Sequence, residues 1–134
     1  MNLFETLSQL KPITAASGNV PTYLMGAFRR KSISFYNGLT DENTIVYWFQ
    51  SKSFTIDLRL KSLTDTPIVE RQAWVGYTHW DAQNASLSWE LSSNYQNHTQ
   101  WPEPATLHPI GNCILEFSPS NAYVEDWRQQ ASTG

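Results

Sequence analysis

The chain has one cysteine, Cys113, so no disulfide can form within it. That excludes the small secreted scaffolds that disulfides hold together. Charge is scarce as well: nine Lys and Arg against twelve Asp and Glu leave −3 at pH 7. The two signs are mixed, with no basic patch for nucleic acid and no long acidic run. No apolar run approaches the roughly 20 residues that a membrane-spanning helix needs. The opening MNLFETLSQL has no basic region followed by an apolar run, so it does not read as a signal peptide. Together these absences predict a cytoplasmic protein with no nucleic-acid or membrane partner. The sequons at Asn84 and Asn97 are then chance matches.

Signatures of chemistry are equally sparse. His79, His98 and His108 lie on separate segments, with no His-x-x-His or Cys-x-x-Cys spacing. No metal site is expected. There is no Gly-x-Ser-x-Gly, no P-loop and no dinucleotide fingerprint, so neither a cofactor nor a catalytic residue is assigned. Cys113, in Cys-Ile-Leu, reads as a small buried hydrophobe rather than a nucleophile. Glu90, Glu116, Glu125 and Asp126 could supply a carboxylate pair, but their spacing selects none, and single acids on strands are usually solvated.

What the chain has is aromatics: six Trp, six Tyr and six Phe in 134 residues. Aromatic residues favour strands, bury large areas and line apolar ligand sites. The length suits one domain over 1–134. Residues 1–12 predict a helix: Asn2 and Glu5 have capping-box spacing, Leu3, Phe4, Leu7 and Leu10 form a stripe, and Pro12 ends it. From Tyr23 the pattern becomes strands. Tyr23 to Tyr36 reads as one or two strands, with Gly26 marking a bulge, and Asn37-Gly38 follows as a turn. Residues 44–50, 54–60, 72–80, 86–92, 95–101 and 112–117 follow, and 122–129 reads equally as a strand or a helical turn. Short antiparallel strands over 23–128 predict an all-β, up-and-down barrel.

The stretch IVYWFQSKSFTIDLRL is the densest. Phe54, Ile56 and Leu58 alternate with Asp57 and Arg59, and period two cannot place both sets inside. Burial preference sends the apolar set inward and the charged pair outward. The alternative puts Arg59 at the cavity as a fork for a ligand carboxylate or phosphate, with Asp57 tethering it. Trp48 and Gln50 share a parity, as do Trp74, Gly76, Thr78 and Trp80. Trp48, Gln50, Trp74, Trp80, Trp89 and Arg59 are the candidate ligand-binding residues.

Trp48-Phe49-Gln50 followed by Asp57-Leu58-Arg59-Leu60 resembles a group of bacterial and fungal calycin-like proteins. Trp74-Val75-Gly76, Ser88-Trp89-Glu90, Glu116 and Tyr123-Val124-Glu125-Asp126-Trp127 fit the same order, over roughly residues 27–128. The resemblance implies a barrel of lipocalin or fatty-acid-binding-protein type and carries no reaction with it. Against that group the sequence reads as short after Trp127, as though a second barrel-like half were absent, which leaves open whether it acts alone or as half of an assembly. Three functions remain open. The first is a non-enzymatic binding protein for a small, largely apolar ligand. The second is an interaction module with a side-chain-filled barrel, working through a homo-oligomeric or partner surface. The third is a barrel enzyme, which would need an acid or His facing the cavity.

Overall fold

The computed structural model describes residues 2, 5, 8, 9, 19–94 and 104–132, with 91–94 described by backbone alone. Its strands are β1 (Gly26–Phe35), β2 (Thr40–Asp41), β3 (Ile45–Gln50), β4 (Phe54–Leu60), β5 (Gln72–Asp81), β6 (Ser86–Asn94), β7 (Ala105–Ile110), β8 (Cys113–Phe117) and β9 (Tyr123–Ala131). Every neighbouring pair is antiparallel. The sheet order is β2-β1-β3-β4-β5-β6-β7-β8-β9, and β1 also pairs with β9. That pairing closes eight strands into a barrel, with β2 a short flap on the end of β1. Closure removes the exposed edges that so aromatic a set of strands would otherwise present.

Two devices shape the seam. The β1–β9 ladder slips at Ala27/Phe28 and at Arg30/Ser32, as bulges do when they tighten a strand's curve. Gly26, at φ +127°, sits against the Ala131 carbonyl oxygen, where any Cβ would collide. At the far end of β1, Gly38 takes φ +84° in the Asn37-Gly38 turn.

One end of the barrel is packed solid. Leu24, in the 3-10 turn Thr22–Leu24, is fully buried. It joins Val20, Phe28, Val46, Leu87 and Leu107 in the core cluster. Phe28 stacks on Trp48 at 4.7 Å between ring centroids, and Trp48 meets Trp127 edge-on at 5.5 Å.

Several expectations are met, and others need correction. The capping box forms: the Asn2 N–H donates to the Glu5 carboxylate at 2.9 Å, and the Glu5 N–H donates to Asn2 Oδ1 at 2.9 Å. The stripe Leu3, Phe4, Leu7 and Leu10 and the strand expected at 95–101 lie outside the described residues. The segment read as strand or helical turn is strand β9. Strand β7 was not anticipated, because Pro109 and the prolines before it argue against a strand.

The orientation of β4 reverses the expectation. Thr55 and Asp57 are buried, while Ile56 is 40% exposed. The outward apolar side chains cover one another on the sheet surface instead. Ile56 stands between Phe49 and Val75 in register, and Phe54 meets Tyr77 edge-on at 5.6 Å. Inside, a hydrogen bond to Gln50 holds Thr55, and Arg59 pairs with Asp57. Cys113 also differs from its reading. It is only partly buried, on the outward parity of β8, and its thiol donates to Asp126 Oδ1 at 3.1 Å.

A charged, aromatic-walled cavity as the candidate functional site

The strands that pack the closed end change character within one inward step. On β1, Phe28 is followed by Arg30; on β8, Ile114 by Glu116; on β9, Trp127 is preceded by Glu125. Each pair lies two residues apart, about 6.6 Å along the strand and on one face. Beyond that step the barrel holds a cavity of about 520 Å³. It opens at the end where Phe35, Thr44, Lys61, Gln72 and Ala122 stand, at strand termini and in the adjoining loops. The side chains of the described residues therefore do not fill the barrel throughout.

Four indoles wall the cavity: Trp48, Trp74, Trp89 and Trp127. Trp74 and Trp89 meet edge-on at 5.8 Å. Both of their Nε1–H donors are buried without an acceptor among the described residues. Such orphaned donors are uncommon, since a buried polar group left unpaired carries its full desolvation cost.

The charged groups interlock. Arg30 donates to Glu125 at 2.9 Å, both buried, and lies 3.7 Å from Asp41. Arg59 holds Asp57 by Nε at 2.9 Å and by Nη2 at 3.3 Å. Trp127 Nε1 donates to Glu116 Oε2 at 2.8 Å. Glu116 and Glu125 are direct partners in the β8–β9 register and both are buried. Burial and then the charge of Glu125 push the Glu116 carboxyl well above the ordinary range, so it favours its protonated form. Burial also raises Glu125, with the charge and hydrogen bond of Arg30 opposing. At Arg59 burial works against the charge, but Asp57, by charge and hydrogen bond, together with the charges of Glu125 and Glu116, raises the guanidinium further.

The candidate residues fall into three groups. Trp48, Trp74, Trp89 and Arg59 line the cavity. For Arg59 this corrects the outward placement and realises the alternative geometry, with Asp57 as tether. Gln50 is buried beside the cavity rather than lining it. It accepts from Trp48 Nε1 at 2.9 Å and from Thr55 at 2.6 Å, and donates to Thr78 at 2.9 Å and to two carbonyls. Every polar atom of that amide is used, so Gln50 clamps β3, β4 and β5 together. Trp80 packs against the core cluster at the closed end. Arg30, Glu116, Glu125 and Trp127 complete the wall. The signal for the two acids was present in the pattern: Glu116 shares a parity with Ile114, and Glu125 with Trp127.

Among the described residues no helix is long and apolar enough to cross a membrane. No protein-family model matches the chain, and no curated protein matches it in sequence. Among solved structures it resembles the crystal structure of a lipocalin-like protein from Bacteroides uniformis ATCC 8492. The TM-score is 0.61 at 14% identity, over 80% of this chain and 98% of that one. Likeness at that identity shows the fold, and the fold of this chain is a closed, eight-stranded antiparallel barrel of lipocalin-like type.

Proposed function

We propose that the chain is a non-enzymatic binding protein that holds one small molecule in the open half of its barrel. The observation that carries this reading is the cavity itself, about 520 Å³ with four indoles in its wall. Small-molecule sites typically measure roughly 300–1,000 Å³, mostly apolar with a few placed polar groups. The ligand's body is largely apolar, to match the rings. It carries an oxygen acceptor for the N–H groups of Trp74 and Trp89. Such an acceptor would relieve two buried donors at once, a gain that a purely hydrocarbon ligand cannot supply.

Native mass spectrometry of gently purified protein tests this reading. The expected spectrum shows a non-protein mass carried at one per barrel, or full occupancy after incubation with the neutral probe N-phenyl-naphthylamine. A folded chain that carries nothing and does not saturate with the probe contradicts it. Asp57, Glu116 and Glu125 also meet the minimum requirement for a barrel enzyme, an acid facing the cavity. A carried molecule whose mass changes with time in the same spectra would move the reading to catalysis.

A further inference from the structure

The charges of the cavity wall name the polar end of the ligand. Each cation there already has its carboxylate: Arg30 has Glu125 and Asp41, Arg59 has Asp57, and Lys61 has Glu70 at 2.8 Å. Glu116 is left over. It is 7% exposed, and its hydrogen bond among the described residues comes from the neutral indole of Trp127. It also stands opposite Glu125, where directly paired strand residues have Cβ atoms about 4.5–5.5 Å apart. Arg30 offsets the charge of Glu125, but none of the ion pairs among the described residues includes Glu116, and a second carboxylate charge so close in a low dielectric is disfavoured. A metal ion is a poor candidate, since no group of three acids, His or Cys among the described residues is placed to hold one. The same wall carries the indoles of Trp48, Trp74, Trp89 and Trp127, a ring type that attracts organic cations. An anionic ligand would fare worse. It would meet a wall with more acids than bases, and in Arg59 a fork already closed on Asp57.

We propose that the ligand of this cavity is an organic cation, an ammonium or amidine-like group on an apolar body that also bears the oxygen acceptor for Trp74 and Trp89, and that Glu116 is the carboxylate that receives it. The inference rests on the binding reading above and adds the class of ligand. Facing Glu116 are Glu125 from β9, Asp57 and Arg59 from β4 and, through Glu125, Arg30 from β1; Leu107 of β7 stands opposite it in register and is apolar. In the empty cavity a proton on Glu116 relieves the repulsion. An arriving ammonium displaces that proton to solvent and takes its place against the carboxylate.

The test is calorimetric titration with three probes that share one body: phenylbutylamine, phenylbutanol and phenylbutyrate. The amine is expected to bind at least tenfold more tightly than the alcohol or the acid. Its binding enthalpy should depend on the buffer's ionisation enthalpy in the sense of proton release, up to one per site. In Glu116→Gln the preference for amine over alcohol should fall at least tenfold and the proton release should vanish. An alcohol or acid that equals or beats the amine overturns the cationic assignment while leaving the binding reading intact. So does an amine preference that survives Glu116→Gln. If none of the three binds while N-phenyl-naphthylamine saturates, the cationic assignment fails alone; if N-phenyl-naphthylamine fails as well, the binding reading fails and this inference with it.

Discussion

At the closed end of the barrel Phe28, Leu87, Leu107 and Ile114 are each at most 2% exposed and pack together in the core cluster. One inward step away, Arg30 of β1, Glu116 of β8 and Glu125 of β9 are also buried, but as ionisable groups. The contrast shows what each end contributes. Apolar burial stabilises by roughly 25 cal/mol per Å², whereas a buried ion pair is often no better than well-packed hydrophobic residues. The closed end holds the fold together. The open end carries charges that stability does not require, and the cavity explains their presence.

Phe28→Ala should break the closed end most severely. A buried Phe stacked on Trp48 should cost about 3–5 kcal/mol on truncation, read as a loss of unfolding free energy in urea. A loss under about 1 kcal/mol would mean that the closed end is not the source of stability. Next comes the border between the ends. Gln50→Leu leaves Trp48 Nε1 and two threonine hydroxyls without their shared partner, and should cost about 1–3 kcal/mol by the same measurement. A neutral result would show that water replaces the amide freely, and that the border is wetter than the structure shows.

The open end should reveal itself through pH. Glu116 and Glu125 bind protons more tightly folded than unfolded, where the ordinary value is 4.5. Their contribution to stability is therefore full below that value and is lost as pH rises through the raised folded values. Asp41 and Asp126, whose carboxyls are lowered, act the opposite way but only near and below 3.8. The ligand-free protein should thus melt lower at about pH 8 than at about pH 4.5. Glu116→Gln should raise the melting temperature at the higher pH by ~3–5 °C, the shift that about 1 kcal/mol produces at this chain length. A flat pH profile in the parent protein, or an unchanged one in the variant, would contradict the carboxylate pair. The smallest effect belongs to the outside of the barrel: Ile56→Ala should cost about 0.5 kcal/mol or less in urea, as surface changes do. A loss of about 2 kcal/mol or more would restore the inward orientation of the apolar residues of β4.

That last residue marks where the sequence stops being legible. Strands, hairpins and barrel class follow from period-two alternation and from turns such as Asn37-Gly38, both local features. The parity of Leu87 was legible too, because Ser86, Ser88 and Glu90 alternate with Leu87 and Trp89 on β6. On β4 both parities were plausible, and burial preference chose wrongly. The deciding interactions are non-local: Gln50 reaching Thr55 and Thr78, and Phe49 and Val75 shielding Ile56 from outside. Strand β7 hid behind Pro109. Glu116 and Glu125 lie nine residues apart in the chain and face one another only once β8 and β9 pair, so spacing could not single them out.

The central claim is that the open half of the barrel is a binding cavity rather than a decorated but unused end. Fluorescence titration of the folded protein with N-phenyl-naphthylamine, a neutral apolar probe, tests it most directly, because tryptophans wall the cavity on several sides. The account predicts saturation at one probe per barrel, with a change in tryptophan emission that Trp74→Phe diminishes. Binding that never saturates, or no binding while the protein remains folded, would contradict it.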